Sequence, residues 1–307
     1  MIVLQASGIS KSYGTKNVLN GAGITLHSGE RVGLVGPNGA GKTTLLKILT
    51  GDIKPDAGEI FRPAGATLGY LAQDGGLSTG ATVLNEMLSV FTPLINLEKK
   101  LRELEGRMGE TEVLKNTLLF KEISGEYDML LEDFRIRGGY EFRTEIKAVL
   151  HGLNFGVEYH HRPVDTLSGG QKTRLAMAKL LLARPDILVL DEPTNHLDME
   201  TMAWVEKYLQ SYSGSILVVS HDRYFLNALA GTVYELERGR LHKYHGNYSR
   251  FVYLRAERAR NEMKLYVRQQ EEIARAEDFI HRNIARLIRG VKTESISFRT
   301  VAPVESP

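Results

Sequence analysis

The fold of this chain is decided by the stretch Gly36-Pro37-Asn38-Gly39-Ala40-Gly41-Lys42-Thr43-Thr44. An apolar run, Arg31 to Val35, leads directly into it, and apolar residues at helical spacing follow it. This order of strand, glycine-rich loop and helix is the context that a phosphate-binding loop requires. The backbone N–H groups at the start of such a helix converge on phosphate oxygens, and the helix dipole adds positive potential. The stretch therefore predicts an α/β fold that binds a nucleotide.

Two side chains of the loop have expected roles in this chemistry. We expect the Lys42 ammonium to reach the β- and γ-phosphates and the Thr43 hydroxyl to ligate Mg²⁺. Farther along, the apolar run Ile187 to Leu190 ends in two acids. We expect Asp191 to hold Mg²⁺, directly or through water, and Glu192 to orient or deprotonate the attacking water.

A second glycine turn, Leu167-Ser168-Gly169-Gly170-Gln171, lies some twenty residues before those acids. A stretch with helical character follows it, so we expect Ser168 to cap a helix. The free N–H groups of that helix and the Ser168 hydroxyl would form a second cradle for an anion. The alternative interpretation is a capped helix with a tight glycine turn and no ligand.

The ordered set of motifs resembles the ATP-binding cassette (ABC) ATPases over nearly the whole folded part of the chain. The resemblance implies that ATP is bound by residues 36–44 and that Ser168, Gly169, Gly170 and Gln171 contact ATP held by a different cassette. It also implies that Tyr13 stacks on adenine, that Gln73 reaches Mg²⁺ and water, and that His221 lies near the γ-phosphate. One copy of each motif gives two half-sites and no complete one.

The expected architecture is a P-loop NTPase ABC cassette at residues 1–248. Its helical subdomain, with an arm-like hairpin, is placed at about 91–165. A charged helical linker is expected at 249–290, because basic residues outnumber acids there, and a disordered tail at 291–307. The hairpin is predicted from a second charged stretch, Glu112 to Asp133, and from apolar residues spaced by three and four residues. These are Leu94, Leu97, Leu101, Leu104 and Met108, a pattern that we expect Gly106 and Gly109 to break.

The segment after the two acids, Asn195-His196-Leu197-Asp198, narrows the class. Transporter cassettes usually read Ser-Ala-Leu-Asp there, whereas this segment is similar to the ABC-F class, ATPases that act on ribosomes. In that class the hairpin corresponds to an arm, and the charged helix begins a linker between two cassettes that reaches towards tRNA. Basic residues on it would contact rRNA or tRNA phosphates without sequence preference.

Residues 269–283 resemble the first half of that linker, but residues after about Ala285 do not resemble the expected returning helix. The sequence leaves open whether the chain is a natural half-protein, a truncated product or a designed fragment. Its net charge of +2 does not by itself indicate nucleic-acid binding. With no cysteine, no signal peptide and no long apolar stretch, we expect a cytoplasmic protein without direct membrane insertion.

Three functional hypotheses follow. The leading one is a Mg²⁺-dependent ATPase of ABC-F type that acts on the ribosome and tRNA through ATP-driven closure of two cassettes. The partner is then a second ABC cassette or, in a head-to-tail homodimer, a second copy, and the monomer binds ATP but hydrolyses it poorly. The alternatives are a nucleotide-binding subunit of a membrane transporter and a non-hydrolysing regulatory module. Asn195-His196 and the charged tail argue against the transporter subunit.

Overall fold

The structure, a computed structural model, describes residues 1–71, 77–195 and 197–297. The chain divides into two compact units, Met1–Phe251 and Val252–Pro307. The division falls three residues after the expected boundary at residue 248. The reason is that the Phe251 ring is buried and packs on two tyrosine rings of the first unit, with centroids 5.1 Å from Tyr244 and 5.5 Å from Tyr248.

Strands dominate both ends of the first unit, and helices fill its middle. The strands are β1 (Ile2–Tyr13), β2 (Lys16–His27), β3 (Arg31–Val35), β4 (Ala57–Phe61), β5 (Leu68–Leu71), β6 (Ile187–Asp191), β7 (Ser215–Val219), β8 (Thr232–Glu237) and β9 (Arg240–His245). The helices are α1 (Lys42–Thr50), α2 (Val83–Leu88), α3 (Thr92–Met108), α4 (Thr111–Lys115), α5 (Thr117–Ile136), α6 (Phe142–Gly152), α7 (Gly169–Ala183), α8 (Met199–Gln210), α9 (Arg223–Leu229) and α10 (Tyr248–Ser297).

A six-stranded sheet with the order β5-β6-β7-β3-β8-β9 forms the centre of the first unit. Its first five strands are parallel, and β9 is antiparallel to β8. Along β6, Ile187 and Val189 belong to one apolar core, while Leu188 and Leu190 belong to the core on the other face. A parallel strand covered on both faces reads as a continuous apolar run, so the prediction of buried strands is confirmed.

A separate antiparallel sheet with the order β2-β1-β4 covers one of these cores together with α1. The sequence pattern does not distinguish this sheet from the α/β unit. Its hairpin turns at Gly14, where φ is +59°, and pairs Tyr13 with Lys16 across the turn. A two-residue turn with positive φ is the usual connection of two adjacent antiparallel strands.

The helices α2, α6, α7, α8 and α9 contribute to the other core, and the hairpin of α3 and α5 joins it through Leu94, Leu101 and Phe134. In the hairpin α3 packs against α5, and Leu104, Val113 and Ile123 form a small core of its own. The prediction that Gly106 breaks the first helix is wrong, because α3 continues to Met108. An interior glycine costs a helix about 1 kcal/mol relative to alanine and does not by itself end it.

Within the described residues, the second unit consists of the rest of α10. The predicted charged helix is present, but it extends beyond residue 290 to Ser297, so residues 291–297 do not belong to a disordered tail. Gly290 weakens a helix without stopping it, and the next proline is Pro303. The expected tail at 298–307 lies outside the described residues. Ion pairs one turn apart, such as Arg258–Glu262 at 2.7 Å, support the exposed helix. In the described part of the chain, no helix combines the length and apolarity needed to cross a membrane.

Candidate nucleotide-binding site

The phosphate loop connects β3 to α1 and depends on three glycines. Gly39 and Gly41 have φ of +74° and +106°, a region that residues with a side chain rarely adopt. A Cβ on Gly41 would lie 2.6 Å from Val18 Cγ1, and one on Gly36 would lie 2.5 Å from the Leu236 carbonyl oxygen. A Cβ on Gly39 would meet nothing within 4 Å. Gly36 and Gly41 therefore let the loop pass its neighbours, whereas Gly39 borders open space.

The Lys42 ammonium lies over this loop. Its Nζ donates to the Gly36 carbonyl at 2.9 Å and to the Pro37 carbonyl at 3.3 Å. An ammonium has three N–H donors, so these two bonds leave one for a ligand. Lys42 also begins α1, where the first backbone N–H groups have no partner within the helix. Lys42 thus places a positive charge beside the free backbone N–H donors at the start of α1.

The Thr43 hydroxyl donates to Asp191 Oδ2 over 3.0 Å, which joins the start of α1 to the end of β6. Burial and then the negative charges of Asp191 and Asp52 raise the pKa of the half-buried Tyr70 phenol at the end of β5. A hydroxyl and a carboxylate side by side, in negative potential, are the hard oxygen donors that Mg²⁺ takes alongside phosphate oxygens. Thr43 and Asp191 fit the ion that the sequence predicted for them.

Glu192 is held in the left-handed region, with φ of +53°. Its backbone N–H donates to the Val219 carbonyl at 2.9 Å, and its Oε2 accepts the His221 backbone N–H at 3.2 Å. Its other oxygen, Oε1, is buried, lies 3.4 Å from His221 Nε2 and makes no well-aligned hydrogen bond with the described residues. A non-glycine residue with this φ stores strain and often marks a functional position. The carboxylate retains one oxygen able to accept a proton.

A further contact joins the two loops that carry these side chains. The Thr194 and Ser220 hydroxyls lie 3.2 Å apart, and Ser220 Oγ also accepts the Asp222 N–H at 3.0 Å. Ser220 is 5% exposed. The loop after β6 and the loop after β7 are thereby fixed to each other at the carboxyl edge of the sheet, where parallel α/β sheets place their ligands.

An open cleft of about 480 Å³ collects most of the predicted residues, a volume typical of small-molecule sites. Its lining residues are Tyr13, Lys16, Val18, Asn38, Gly39, Gly41, Lys42, Thr43, Thr44, Asp191, Glu192 and His221. Gly36, Pro37 and Ala40 shape the loop behind this lining. Gln73 lies outside the described residues.

Lys16 and Val18 line the cleft as well, although no local motif marks them as site residues. Both lie on β2, and only the pairing of β1 with β2 brings them beside the phosphate loop. The signal in the sequence is the Gly14-Thr15 turn, which predicts a hairpin and places Lys16 opposite Tyr13.

The Ser168 turn is a second, separate structure. Its predicted helix cap is confirmed: Ser168 Oγ accepts the Gln171 N–H at 3.3 Å, and Gln171 Oε1 accepts the Ser168 N–H at 2.9 Å. This reciprocal pair is a capping box. Among the described residues that line the cleft, none comes from 168–171. Within one chain, therefore, the phosphate loop and the Ser168 turn do not line one pocket.

Comparisons with known proteins agree with this geometry. Two family models, both described as ABC transporter, match residues 19–195 and 234–295. The putative ATP-binding protein YdiF of Bacillus subtilis is 46% identical over 291 residues, which cover 93% of this chain and 44% of YdiF. The energy-dependent translational throttle protein EttA of Mycobacterium tuberculosis is 37% identical over 273 residues, which cover 87% of this chain and 47% of EttA.

The chain thus spans about half the length of the relatives it matches. Among solved structures, the dimeric structure of MJ0796, a bacterial ABC transporter cassette, aligns with a TM-score of 0.55 and 20% identity. That alignment covers 79% of this chain and 98% of MJ0796, and at this identity it shows the fold alone. The matched family, the cassette fold, and relatives such as YdiF and EttA together show that this chain belongs to the ATP-binding cassette ATPases, as a cassette of the ABC-F class.

Proposed function

We propose that this chain is a Mg²⁺-dependent ATPase cassette that acts on the ribosome and its tRNA in the cytoplasm, through ATP-driven closure of two cassettes. The observation that carries the proposal is the separation of the two anion cradles. Lys42, Asp191 and Glu192 belong to one cleft, and the Ser168 turn lies outside it. A complete site then needs the Ser168 turn of another cassette.

The side chains of the cleft divide the chemistry between them. The loop N–H groups and Lys42 bind the phosphates, and Tyr13, which is half exposed at the cleft wall, stacks on the base. Thr43 and Asp191 would hold Mg²⁺, and the ion would offset the charge of the β- and γ-phosphates. Glu192 accepts the proton of the attacking water at Oε1, and the His221 backbone N–H fixes its other oxygen.

The Ser168 turn acts on the nucleotide of the other cassette. The Ser168 hydroxyl accepts one hydrogen bond from Gln171 N–H, so its own proton remains to be donated to a phosphate oxygen. In a head-to-tail homodimer, two-fold symmetry builds two equivalent sites in this way. A second cassette of a different sequence would build them with the same contacts.

Three features support the ribosome as the place of action. The hairpin of α3 and α5 has a small core of its own, as expected of an arm. The exposed helix α10 carries an excess of basic residues, as contacts with RNA phosphates require. The name of the relative EttA describes an energy-dependent translational throttle protein.

Co-sedimentation with purified bacterial ribosomes tests the proposal. The Glu192→Gln chain should bind ATP without hydrolysing it, so it should pellet with ribosomes in ATP and remain in the supernatant in ADP. The double variant Lys42→Ala, Glu192→Gln is the matched control and should stay in the supernatant in both nucleotides. Binding that ignores the nucleotide, or no binding in ATP, would refute the proposed function.

A further inference from the structure

Tyr159 lies at the end of a one-turn 3-10 helix, Val157–Tyr159, and its ring is fixed from two sides. The ring meets the buried Phe155 edge to face, with centroids 5.7 Å apart and planes at 88°. The guanidinium carbon of Arg162 lies 4.5 Å from the Tyr159 ring centroid. Such aromatic and cation–π contacts each favour one ring orientation. The Tyr159 hydroxyl therefore occupies a defined position.

That hydroxyl contacts the Gln171 side chain. Gln171 Nε2 donates to the Tyr159 hydroxyl oxygen at 3.4 Å, while Gln171 Oε1 accepts the Ser168 N–H at 2.9 Å. An amide that rotated by half a turn would place its NH₂ against the Ser168 N–H, where two donors would face each other. The Ser168 N–H thus selects the amide orientation, and in that orientation the Tyr159 hydroxyl holds the amide NH₂ and keeps the side chain in place over Ser168.

The backbone around Tyr159 is attached to α2. The N–H groups of Val83 and Leu84 donate to the Arg162 and His160 carbonyls, each at 3.0 Å. The Val164 N–H donates back to the Ala81 carbonyl at 2.8 Å. These bonds fix the turn against the helical layer. The Tyr159 hydroxyl that contacts Gln171 is therefore fixed relative to that layer as well.

We propose that Tyr159 is a positioning residue for the Ser168 turn: its hydroxyl holds Gln171, and Gln171 holds the Ser168 N–H and hydroxyl in the geometry that meets another cassette's ATP. The inference rests on the proposed function, because the Ser168 turn must act on a second cassette. Tyr159 itself contacts no nucleotide in this arrangement. Its effect should appear only in the site to which its own chain contributes Ser168.

Hydrogen exchange of the single chain without nucleotide measures the first step. A neutral hydrogen bond holds its partner by a modest free energy, so Tyr159→Phe should speed exchange of the Ser168 amide about three- to tenfold. Tyr208→Phe is the matched control, because it removes a tyrosine hydroxyl that donates to the Leu181 carbonyl, at the other end of α7. It should leave the Ser168 amide unchanged. Unchanged Ser168 exchange in Tyr159→Phe would overturn the proposal.

A mixture of two single-defect chains measures the second step. The Lys42→Ala chain cannot bind its own nucleotide but has an intact Ser168 turn. The Ser168→Arg chain binds its nucleotide, but its turn cannot contact the nucleotide of a partner. Together they should form one working site. Tyr159→Phe placed on the Lys42→Ala chain should lower the ATPase rate of the mixture about three- to tenfold. Placed on the Ser168→Arg chain, the same substitution should have no effect, since that turn is already disabled.

The outcomes separate the inference from the function on which it rests. Equal loss of rate from both placements would show a general structural defect and overturn the role of Tyr159. An unchanged rate with both placements would also overturn the role of Tyr159. A mixture that is inactive with Tyr159 intact would instead contradict the homodimer, and the Ser168 exchange measurement would still decide whether Tyr159 positions the turn.

Discussion

At the scale of single residues, the glycines of the phosphate loop meet two different requirements. Gly36 passes close to the backbone of β8, where the Leu236 carbonyl leaves no room for a Cβ. Gly39 borders open space at the cleft. Both glycines have a positive φ, but Gly36 is required in addition by packing, whereas Gly39 is required in addition by the ligand.

Gly36→Ala should lower the free energy of unfolding by about 1–3 kcal/mol, since a backbone carbonyl cannot move aside easily. Gly39→Ala should cost about 1 kcal/mol for its left-handed φ but should weaken ATP binding strongly, because its methyl group enters the phosphate site. Urea unfolding and titration with a fluorescent ATP analogue measure the two effects. Equal loss of stability in the two variants would contradict this division of roles.

Asp186 lies away from the cleft, so the contribution of its charge to the stability of the fold can be measured separately from nucleotide binding. Hydrogen bonds from the Thr67 backbone N–H and hydroxyl, both at 2.8 Å, hold the pKa of its carboxyl below the usual value. A lowered pKa means that the carboxylate stabilises the fold above the unfolded pKa of about 4 and that this contribution is lost as the pH falls through the folded pKa.

Asp186→Asn should accordingly be less stable than the wild type at pH 7. The difference between the two should stay constant down to about pH 5 and shrink as the pH falls below about 4. Urea unfolding of both proteins from pH 7 to pH 3 measures it. A difference that remains constant down to pH 3 would mean that Asp186 contributes through its shape and not its charge.

At the scale of elements, two helical glycines give a matched comparison. Gly125 lies within α5 with no atom within 4 Å of its would-be Cβ, whereas a Cβ on Gly152, at the end of α6, would overlap the Trp204 indole. Gly125→Ala should raise the free energy of unfolding by about 0.5–1 kcal/mol through helix propensity. Gly152→Ala should lower it by about 1–3 kcal/mol through overpacking between α6 and α8.

Thermal unfolding of the two variants should therefore shift in opposite directions. Because both variants change glycine to alanine in a helix, the comparison isolates the indole contact. A gain in stability for Gly152→Ala would show that Trp204 moves freely and that the packing of α6 on α8 is loose.

The basic residues of α10 lead to a prediction about the salt dependence of ribosome binding. Arg260, Lys264 and Arg268 are exposed and lie one turn apart, so they share one face. Replacing all three with glutamine keeps the helix propensity but removes up to three phosphate contacts. Ribosome binding should weaken, and the slope of log affinity against log salt should fall by roughly two to three. A triple variant of acidic residues, Glu262→Gln, Glu271→Gln and Glu272→Gln, should bind at least as well as the wild type.

At the scale of the whole molecule, the parts predicted from the sequence are those whose chemistry is local. The phosphate loop, the Asp191–Glu192 pair and the Ser168 cap each need particular residues at fixed spacing, so the spacing was enough to find them. Lys16 reaches its site through the pairing of β1 with β2, for which the Gly14-Thr15 turn is the only local signal. Tyr159 reaches its site through helix packing, which no local pattern encodes. The positive φ of Glu192 likewise depends on its bond to Val219, a residue from a different strand.

At the same scale, the fold accounts for the two separate half-sites that the proposed function assigns to a single chain. The cleft is built by the carboxyl edge of the central sheet and the turn of the antiparallel sheet, whereas the Ser168 turn belongs to the helical layer. Each is held by its own hydrogen bonds, so both are ready before a partner arrives. Under the proposed function, closure of two cassettes would need ATP as the bridge between them.

The mass of the Glu192→Gln chain in solution, with and without Mg²⁺ and ATP, tests this central claim most directly. The chain has a mass of 34.3 kDa, and sedimentation should give that value in ADP and twice that value in ATP. Adding Ser168→Arg to the same chain should restore the single mass in ATP. A Glu192→Gln protein that binds ATP stoichiometrically and still sediments at 34.3 kDa would contradict closure across ATP between two copies of this chain.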